Sequence, residues 1–308
     1  MIGKIILWTF FGIVSIFTII IGYLILTDVY SPSQMIQLNL TKSPPNPNQP
    51  SYYDGPQFYD NMRYAKKNLT YRIEPNCEEQ KIIRMQKAFT LLENVTERIN
   101  FIQVSLGEDI SISCSKHPQD INADYFVAGE GGATSIVNTS LFYIIEKGEV
   151  LLFYEKTNCD KPDVELHELL HALGFKHSEN PESIMYNVSN CNQVLTTDII
   201  NEIIRLYSID ELPDLSFVNF TAEKHGLYLD FEVEVLNKGL AKSKNISLVL
   251  SKDTELVKSF NIGDLDYGSG KIFTAENIWL GINAGNLSIK LVADEQLDNQ
   301  NKVINFAF

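Results

Sequence analysis

Three histidines of this chain are spaced so that they could bind one metal ion. His167, His171 and His177 fit the pattern H-E-x-x-H-x-x-G-x-x-H, with Glu168 directly after the first histidine. Positions four apart lie on one face of a helix, so the imidazoles of His167 and His171 can reach the same ion. Gly174 permits the left-handed turn that ends the helix and returns His177 as a third ligand.

The donor set of this motif indicates zinc and a reacting water molecule. Zinc binds histidine nitrogen in tetrahedral geometry, and three protein ligands leave the fourth position open, which is typical of catalytic sites. Glu168 would stand beside the metal as general base for zinc-activated water. The alternative is an amphipathic helix with ordinary histidines, but three of the five histidines in the chain would then share this register by accident. One catalytic Zn²⁺ is therefore the expected cofactor.

The stretch resembles the zinc helix of the metzincin metallopeptidases, and Ser183-Ile184-Met185-Tyr186 resembles their Met-turn. Ser178, after the third histidine, is similar to the matrixin branch in particular. The resemblance implies that Met185 forms an apolar floor under the zinc, and ordinary core filling is the alternative. Matrixins usually carry proline two residues after the methionine, where this chain has Asn187. The wall of the pocket that accepts the substrate side chain therefore departs from the family pattern.

Length and charge limit the possible partners. The chain has 308 residues, enough for two domains, and 44% hydrophobic residues, enough for sizeable cores. Its net charge is −14 and it has no run of lysine and arginine, which argues against a nucleic-acid partner. By the resemblance, the expected partner is a protein or peptide substrate. The oligomeric state stays open.

The N-terminal end is predicted to be a membrane anchor. Residues 5–26 contain no charged side chain. As a helix they would span about 33 Å, against a hydrocarbon core of about 30 Å. No small-residue cleavage site follows, so we expect the span to remain as a signal anchor. Lys4 precedes the span and Asp28 follows it, which places residues 1–4 in the cytoplasm.

Residues 27–56 are rich in proline, serine, asparagine and glutamine. This composition favours an extended stem that buries little surface and separates the folded part from the membrane. The stem contains no cysteine, so it lacks the residue that matrixin latency segments place on the zinc.

An extracytoplasmic location also agrees with the N-x-S/T sequons of the chain, which are glycosylation acceptors outside the cell. They start at Asn39, Asn68, Asn94, Asn138, Asn187, Asn219, Asn245 and Asn286. We therefore expect a single-pass membrane protein whose N-terminus is cytoplasmic and whose remaining domains lie outside the cell.

The matrixin resemblance implies an α+β catalytic domain at 57–211, with a mixed five-stranded sheet and three helices. Alternating residues predict strands at 69–73, 101–104, 110–113, 134–137, 141–145 and 149–154. Helical periodicity predicts a long helix at 78–98, and Thr196 or Thr197 can begin a last helix that ends at Leu206. By resemblance, strand 134–137 or strand 141–145 is the antiparallel edge that borders the cleft and pairs with an extended peptide. Residues 129–132, Gly-Glu-Gly-Gly, are predicted to form a flexible turn.

The four cysteines, Cys77, Cys114, Cys159 and Cys191, indicate two disulfides in an oxidising compartment. Three pairings are possible. The resemblance places the first and third strands side by side, which favours Cys77–Cys114 and leaves Cys159–Cys191. A structural zinc site is the alternative, although no C-x-x-C spacing occurs.

Residues 212–308 change character. Hydrophobic and polar residues alternate at 227–235, and shorter strands are predicted at 246–250, 256–262, 271–276 and 287–292. Strands without helices suggest a β-sandwich. Residues 213–215, 235–239 and 293–301 resemble the CARDB family, immunoglobulin-like modules of prokaryotic surface proteins.

These observations together predict a membrane-anchored, extracytoplasmic zinc endopeptidase. Zinc would activate water, and Glu168 would act as general base. The alternative is a surface adhesion or binding protein with a vestigial metallopeptidase fold. The intact ligand set and base argue against that alternative.

Overall fold

The computed structural model describes Ile16, Thr18 and residues 34–39, 55–115, 119–120, 126–153, 159–281, 285–294 and 303–307. Within these ranges, no helix is both long enough and apolar enough to cross a membrane. Apart from Ile16 and Thr18, the predicted anchor at 5–26 lies outside the described residues, as do the predicted cytoplasmic end and most of the stem.

In the described part of the chain, the first folded unit combines eight strands with three helices, and a further strand, β1 (Gln34–Asn39), precedes it. Its strands are β2 (Met62–Tyr64), β3 (Asn68–Ile73), β4 (Asn100–Gln103), β5 (Ile110–Cys114), β6 (Gln119–Asp120), β7 (Phe126–Val127), β8 (Gly129–Asn138) and β9 (Tyr143–Leu152). Its helices are α1 (Glu79–Thr96), α2 (Asp163–Ala172) and α3 (Thr197–Tyr207). The predicted α+β class and three helices are confirmed.

One sheet organises this unit. Its strand order is β2-β9-β5-β3-β4, and β8 pairs with the edge of β9 that faces away from β2 and β5. All pairs are parallel except β8 with β9. The sheet has six strands, so the predicted number of five is wrong. The additional strand is β2, which is only three residues long and shares one edge of β9 with β5. Such a short segment shows no alternation that a sequence pattern could reveal.

Helix α1 covers one part of the sheet because its apolar residues recur at helical spacing. Met85, Ala88, Phe89 and Leu92 are buried. The Phe89 ring lies 4.2 Å from the Tyr71 ring of β3, between ring centroids. The helix ends at Thr96, and the next residue, Glu97, caps it with a left-handed backbone conformation, φ of 51°.

The strands around the β8–β9 turn differ from the prediction. Residues 129–132, predicted to be a flexible turn, belong to strand β8 and pair with residues 149–152 of β9. The predicted strands at 141–145 and 149–154 are parts of the single strand β9, which continues through Gly148. Glycine and charged residues made the sequence look interrupted where the structure is continuous.

Among its described residues, the second unit contains only antiparallel strands. Its strands are β10 (Leu215–His225), β11 (Tyr228–Asn237), β12 (Ser243–Lys252), β13 (Glu255–Leu265), β14 (Ser269–Trp279), β15 (Leu287–Val292) and β16 (Val303–Phe306). They form two sheets, β1-β14-β11-β10 and β13-β12-β15-β16, which share one hydrophobic core. The arrangement is a β-sandwich. Strand β1 lies within the segment assigned to the stem and pairs with β14.

Candidate active site

Helix α2 carries the first two histidines of the motif and is buried along its whole length. Pro162 precedes it, which suits a helix start. At its end, Gly174 has φ of +93°, and its N–H donates to the His171 carbonyl at 2.9 Å. A β-carbon there would lie 2.8 Å from Met62 Cγ. Both the backbone angle and the space require glycine, so the predicted turn at Gly174 is confirmed.

The three histidines converge on one point. The Nε2 atoms of His167 and His171 are 3.0 Å apart, and each lies 3.2 Å from Nε2 of His177. Tetrahedral zinc with Zn–N bonds of about 2.0–2.1 Å places two ligand nitrogens about 3.3 Å apart. The spacing of the three nitrogens therefore fits a zinc ion.

Hydrogen bonds on the far side of the rings fix which nitrogen faces the metal. His167 Nδ1 donates to the Ile184 carbonyl at 2.7 Å, and His171 Nδ1 donates to the Phe175 carbonyl at 2.8 Å. Each ring then turns an Nε2 lone pair toward the shared point. Two lone pairs at this separation repel each other unless a cation lies between them. The donor chemistry thus independently favours a metal site.

Burial keeps these ligands neutral. The pKa of His171 falls to about 3, chiefly through burial, with smaller contributions from His167 and His177. Burial also lowers the pKa of His167, and partial desolvation lowers the pKa of His177, whose ring is the most exposed of the three. Neutral imidazole is the form that binds metal, so the histidines do not need to lose protons at neutral pH.

Glu168 is the buried carboxyl group beside the triad, with 6% of its surface exposed. Burial raises its pKa to about 8, and the nearby Glu130 carboxylate acts in the same direction. A divalent cation in the site would act in the opposite direction by stabilising the carboxylate. The group is therefore placed where a proton can be taken up and released.

The Met-turn lies directly behind the metal ligands. The Ile184 carbonyl accepts the His167 hydrogen bond, and the neighbouring Met185 is 1% exposed. The Ser178 N–H donates to the Met185 carbonyl at 2.8 Å, which ties the turn to the residue after the third histidine. Met185 belongs to the core of the first unit. Its role as floor under the zinc stays a prediction, and Asn187 is exposed just beyond it.

Strand β8 approaches Glu168 more closely than the sequence indicated. A β-carbon on Gly129 would lie 2.6 Å from Glu168 Cγ, and one on Gly131 would lie 2.1 Å from the Glu168 carbonyl oxygen. A larger side chain at Gly131 would displace the strand or the zinc helix, because the atoms that it meets are backbone atoms of Glu168. One at Gly129 would press on the Glu168 side chain. Their spacing of two, on one face of a strand, is the only sequence feature that could have revealed this contact.

A second missed contribution comes from the chain before β2. The Phe58 N–H donates to the Gly174 carbonyl at 3.0 Å, and the Lys176 N–H donates to the Pro56 carbonyl at 3.0 Å. The Phe58 ring stacks near the His171 imidazole, with centroids 6.1 Å apart. No periodic pattern marks this short segment.

Both predicted disulfides are present. Cys77 is bonded to Cys114, and Cys159 is bonded to Cys191. The second bridge joins the residues before α2 to the loop after the Met-turn. Asp163 lies close to this pair. Because both sulfurs are in the bridge, the predicted alternative of cysteine-bound zinc does not apply.

Replacing Cys159 and Cys191 together by serine is expected to lower the free energy of unfolding by about 4 kcal/mol, because the bridge closes a loop of 32 residues. Denaturant unfolding of the zinc-loaded protein measures this change. The matched control replaces Cys77 and Cys114, which close a loop of similar length, 37 residues, away from the histidines. Zinc affinity should fall more in the first variant, and equal affinities would contradict a role for the bridge in holding the zinc helix.

The buried helix, the three convergent nitrogens and the adjacent carboxyl group define a zinc metallopeptidase site. Residues 63–208 match the family described as Matrixin. This segment is a matrixin metalloendopeptidase domain, and His167, His171 and His177 form its zinc-binding triad.

Proposed function

We propose that the chain is a membrane-anchored endopeptidase that faces outward from the cell, and that Glu168 is its general base. The observation that carries the proposal is the meeting of three neutral histidine nitrogens beside a buried glutamate. Two disulfides support an oxidising location. The uncharged span at 5–26 and the sequons support anchoring and outward orientation.

The roles of the site residues follow from their positions. His167, His171 and His177 hold the zinc, and the Ile184 and Phe175 carbonyls orient the first two rings. When bound there, zinc supplies Lewis-acid chemistry, polarising the peptide carbonyl and the attacking water. A Glu168 carboxylate oxygen takes a proton from that water and later delivers it to the departing amine.

For the substrate, the support comes from strand β8. It is the antiparallel edge of the sheet, and its glycine positions press on the zinc helix. Among the described strands, only β9 pairs with it. The edge of β8 away from β9 would accept an extended peptide as a further strand beside the zinc.

For the C-terminal half, we propose an immunoglobulin-like module related to CARDB, with the domain boundary between 211 and 212. Two sheets around one separate core support this assignment. The predicted boundary falls between the end of α3 and the start of β10.

Membranes from cells that express the full-length chain should cleave an added unfolded protein. A zinc chelator should abolish this activity, at least about 100-fold, because Lewis-acid stabilisation of the transition state is lost with the metal. Stoichiometric Zn²⁺ should restore it. Activity is measured by release of peptide fragments and metal by elemental analysis of the purified protein.

The matched control lacks residues 1–26 and should release the same chelator-sensitive activity into the soluble fraction. Cleavage that survives complete zinc removal would refute the catalytic proposal. Activity that stays soluble with residues 1–26 present would refute anchoring and leave the catalytic assignment intact.

A further inference from the structure

The turn between β8 and β9 is held by the C-terminal sandwich. Thr139, the first residue of this turn, is fully buried, and its hydroxyl donates to the Lys238 carbonyl at 2.9 Å. The same Oγ1 accepts the N–H of Phe142 at 3.1 Å, which closes the turn. The Thr139 side chain therefore joins the β8–β9 hairpin to Lys238, the residue that follows β11.

A second contact lies beside the first. Gly268 belongs to the turn between β13 and β14 and has φ of +65°. A β-carbon at Gly268 would lie 2.3 Å from Val137 Cγ1 and 3.5 Å from Thr139 Cγ2. The sandwich thus approaches the hairpin so closely that a β-carbon at Gly268 would overlap the Val137 side chain.

Buried apolar side chains outside both cores support the same interface. On the catalytic side, Val137 and Ile144 are opposite each other on β8 and β9, with 4% and 0% of their surface exposed. On the sandwich side, Leu236 and Leu240 are 7% and 3% exposed. None of the four belongs to either hydrophobic core. Their burial is accounted for if the two units cover one another.

The connection between the units has little freedom. The Lys238 N–H donates to the Asp214 carbonyl at 2.8 Å, and the Leu240 N–H donates to the Leu212 carbonyl at 2.9 Å. The buried Asn237 side chain accepts the Asp214 N–H at 3.1 Å. The backbone carbonyl of Asn237 accepts the Gly268 N–H at 2.8 Å. Hydrogen bonds therefore join residues 212–214, the end of β11 and the turn between β13 and β14 to one another.

We propose that the sandwich is a positioning part of the peptidase, because it fixes one end of β8 while the other end contacts Glu168. The ten residues of β8 run from Gly129, which touches Glu168, to Asn138, which precedes Thr139. A shift at the docked end is transmitted along the strand to the zinc helix. This inference rests on the proposed function of Glu168 and assigns the sandwich a task within catalysis.

The test compares two glycine-to-alanine variants of the full-length protein. Gly268→Ala introduces the clash with Val137, whereas Gly226→Ala, in the turn between β10 and β11, has the same φ of +65° and meets no atom within 4 Å. Backbone strain is matched, and only the contact between the units differs. We expect kcat/KM for an unfolded-protein substrate to fall at least about tenfold in Gly268→Ala, since small displacements of a catalytic group are costly. In Gly226→Ala it should stay within about twofold.

A rescue variant separates the contact from general damage. In Gly268→Ala with Val137→Ala, the nearest remaining neighbours of the new β-carbon are Thr139 Cγ2 at 3.5 Å and Val137 Cβ at 3.7 Å, which are ordinary contacts. The double variant should have a higher kcat/KM and a higher unfolding temperature than the summed effects of Gly268→Ala and Val137→Ala predict. Zinc content should stay at one ion per chain in every variant.

Equal behaviour of Gly268→Ala and Gly226→Ala would overturn the docking. Loss of stability in Gly268→Ala with unchanged kcat/KM well below the unfolding temperature would overturn the positioning role. Wild-type protein without activity would refute the proposed function itself. The unfolding temperatures of the wild type, the two single variants and the double variant would still test the contact between the units. If Gly268→Ala does not fold, Thr139→Val serves instead, with Thr139→Ser as the control that keeps the hydroxyl. Unchanged kcat/KM in Thr139→Val would likewise overturn the positioning role.

Discussion

Glu168→Gln is expected to lower kcat by about 10²–10⁴-fold while the protein keeps one zinc ion, because general-base catalysis contributes this much. The amide has nearly the same shape as the carboxyl group, so it should fit the same buried space under β8. It cannot accept the proton of the attacking water. The change should therefore appear in kcat, with little effect on KM or on the unfolding temperature. Steady-state kinetics measures kcat and KM, and elemental analysis measures the bound zinc.

Glu179→Gln is the matched control, since Glu179 is an exposed glutamate two residues after the third histidine. It removes one carboxylate two positions after the last residue of the zinc motif, without touching the proposed proton path. We expect its kcat to remain within about twofold of the wild type, because an exposed charge is screened by solvent. Equal losses in the two variants would show that net charge near the zinc, and not the base at Glu168, controls the rate. A fully active Glu168→Gln protein would refute the base directly.

The zinc ligands could be predicted from the sequence because their geometry is local. His167 and His171 share a helical face through backbone periodicity alone, and Gly174 marks the turn that returns His177. The disulfides became predictable only after the resemblance set the order of the strands. In each case the deciding information lies within a short stretch or in the family pattern.

Contacts made across the fold could not be predicted in this way. The sequence predicts a turn at Gly129 and Gly131 because glycine is a poor strand former. In the structure, the absence of β-carbons at these positions lets β8 approach Glu168. That reason exists only once the helix is in place. The pairing of Thr139 with Lys238 spans 99 positions, and neither residue type indicates a partner. The position of β8 therefore emerges from tertiary packing at both of its ends.

Among the described glycines of the catalytic domain, Gly131 is the one at which an added methyl group should be most damaging. Its β-carbon would lie 2.1 Å from the Glu168 carbonyl oxygen, and also 2.8 Å from Glu168 C and Cα. All three atoms are backbone, so no side-chain rotation relieves the overlap. Either β8 or the zinc helix must move. We expect a loss of about 1–3 kcal/mol in the free energy of unfolding, as for overpacked cores. A shift of about 1 Å at Glu168 should also cost about 100-fold in kcat/KM.

Gly132→Ala isolates the cause of that loss. The neighbouring glycine lies on the same strand, and a β-carbon there meets no atom within 4 Å. Glycine inside a strand is destabilising relative to alanine, so this control should be unchanged or slightly more stable. The pair thus separates the effect of adding a methyl group to β8 from the effect of pushing it against Glu168. If both variants keep full activity, β8 does not hold the zinc helix in place. If both lose activity equally, flexibility of the glycine stretch, and not its close approach to Glu168, is what the enzyme requires.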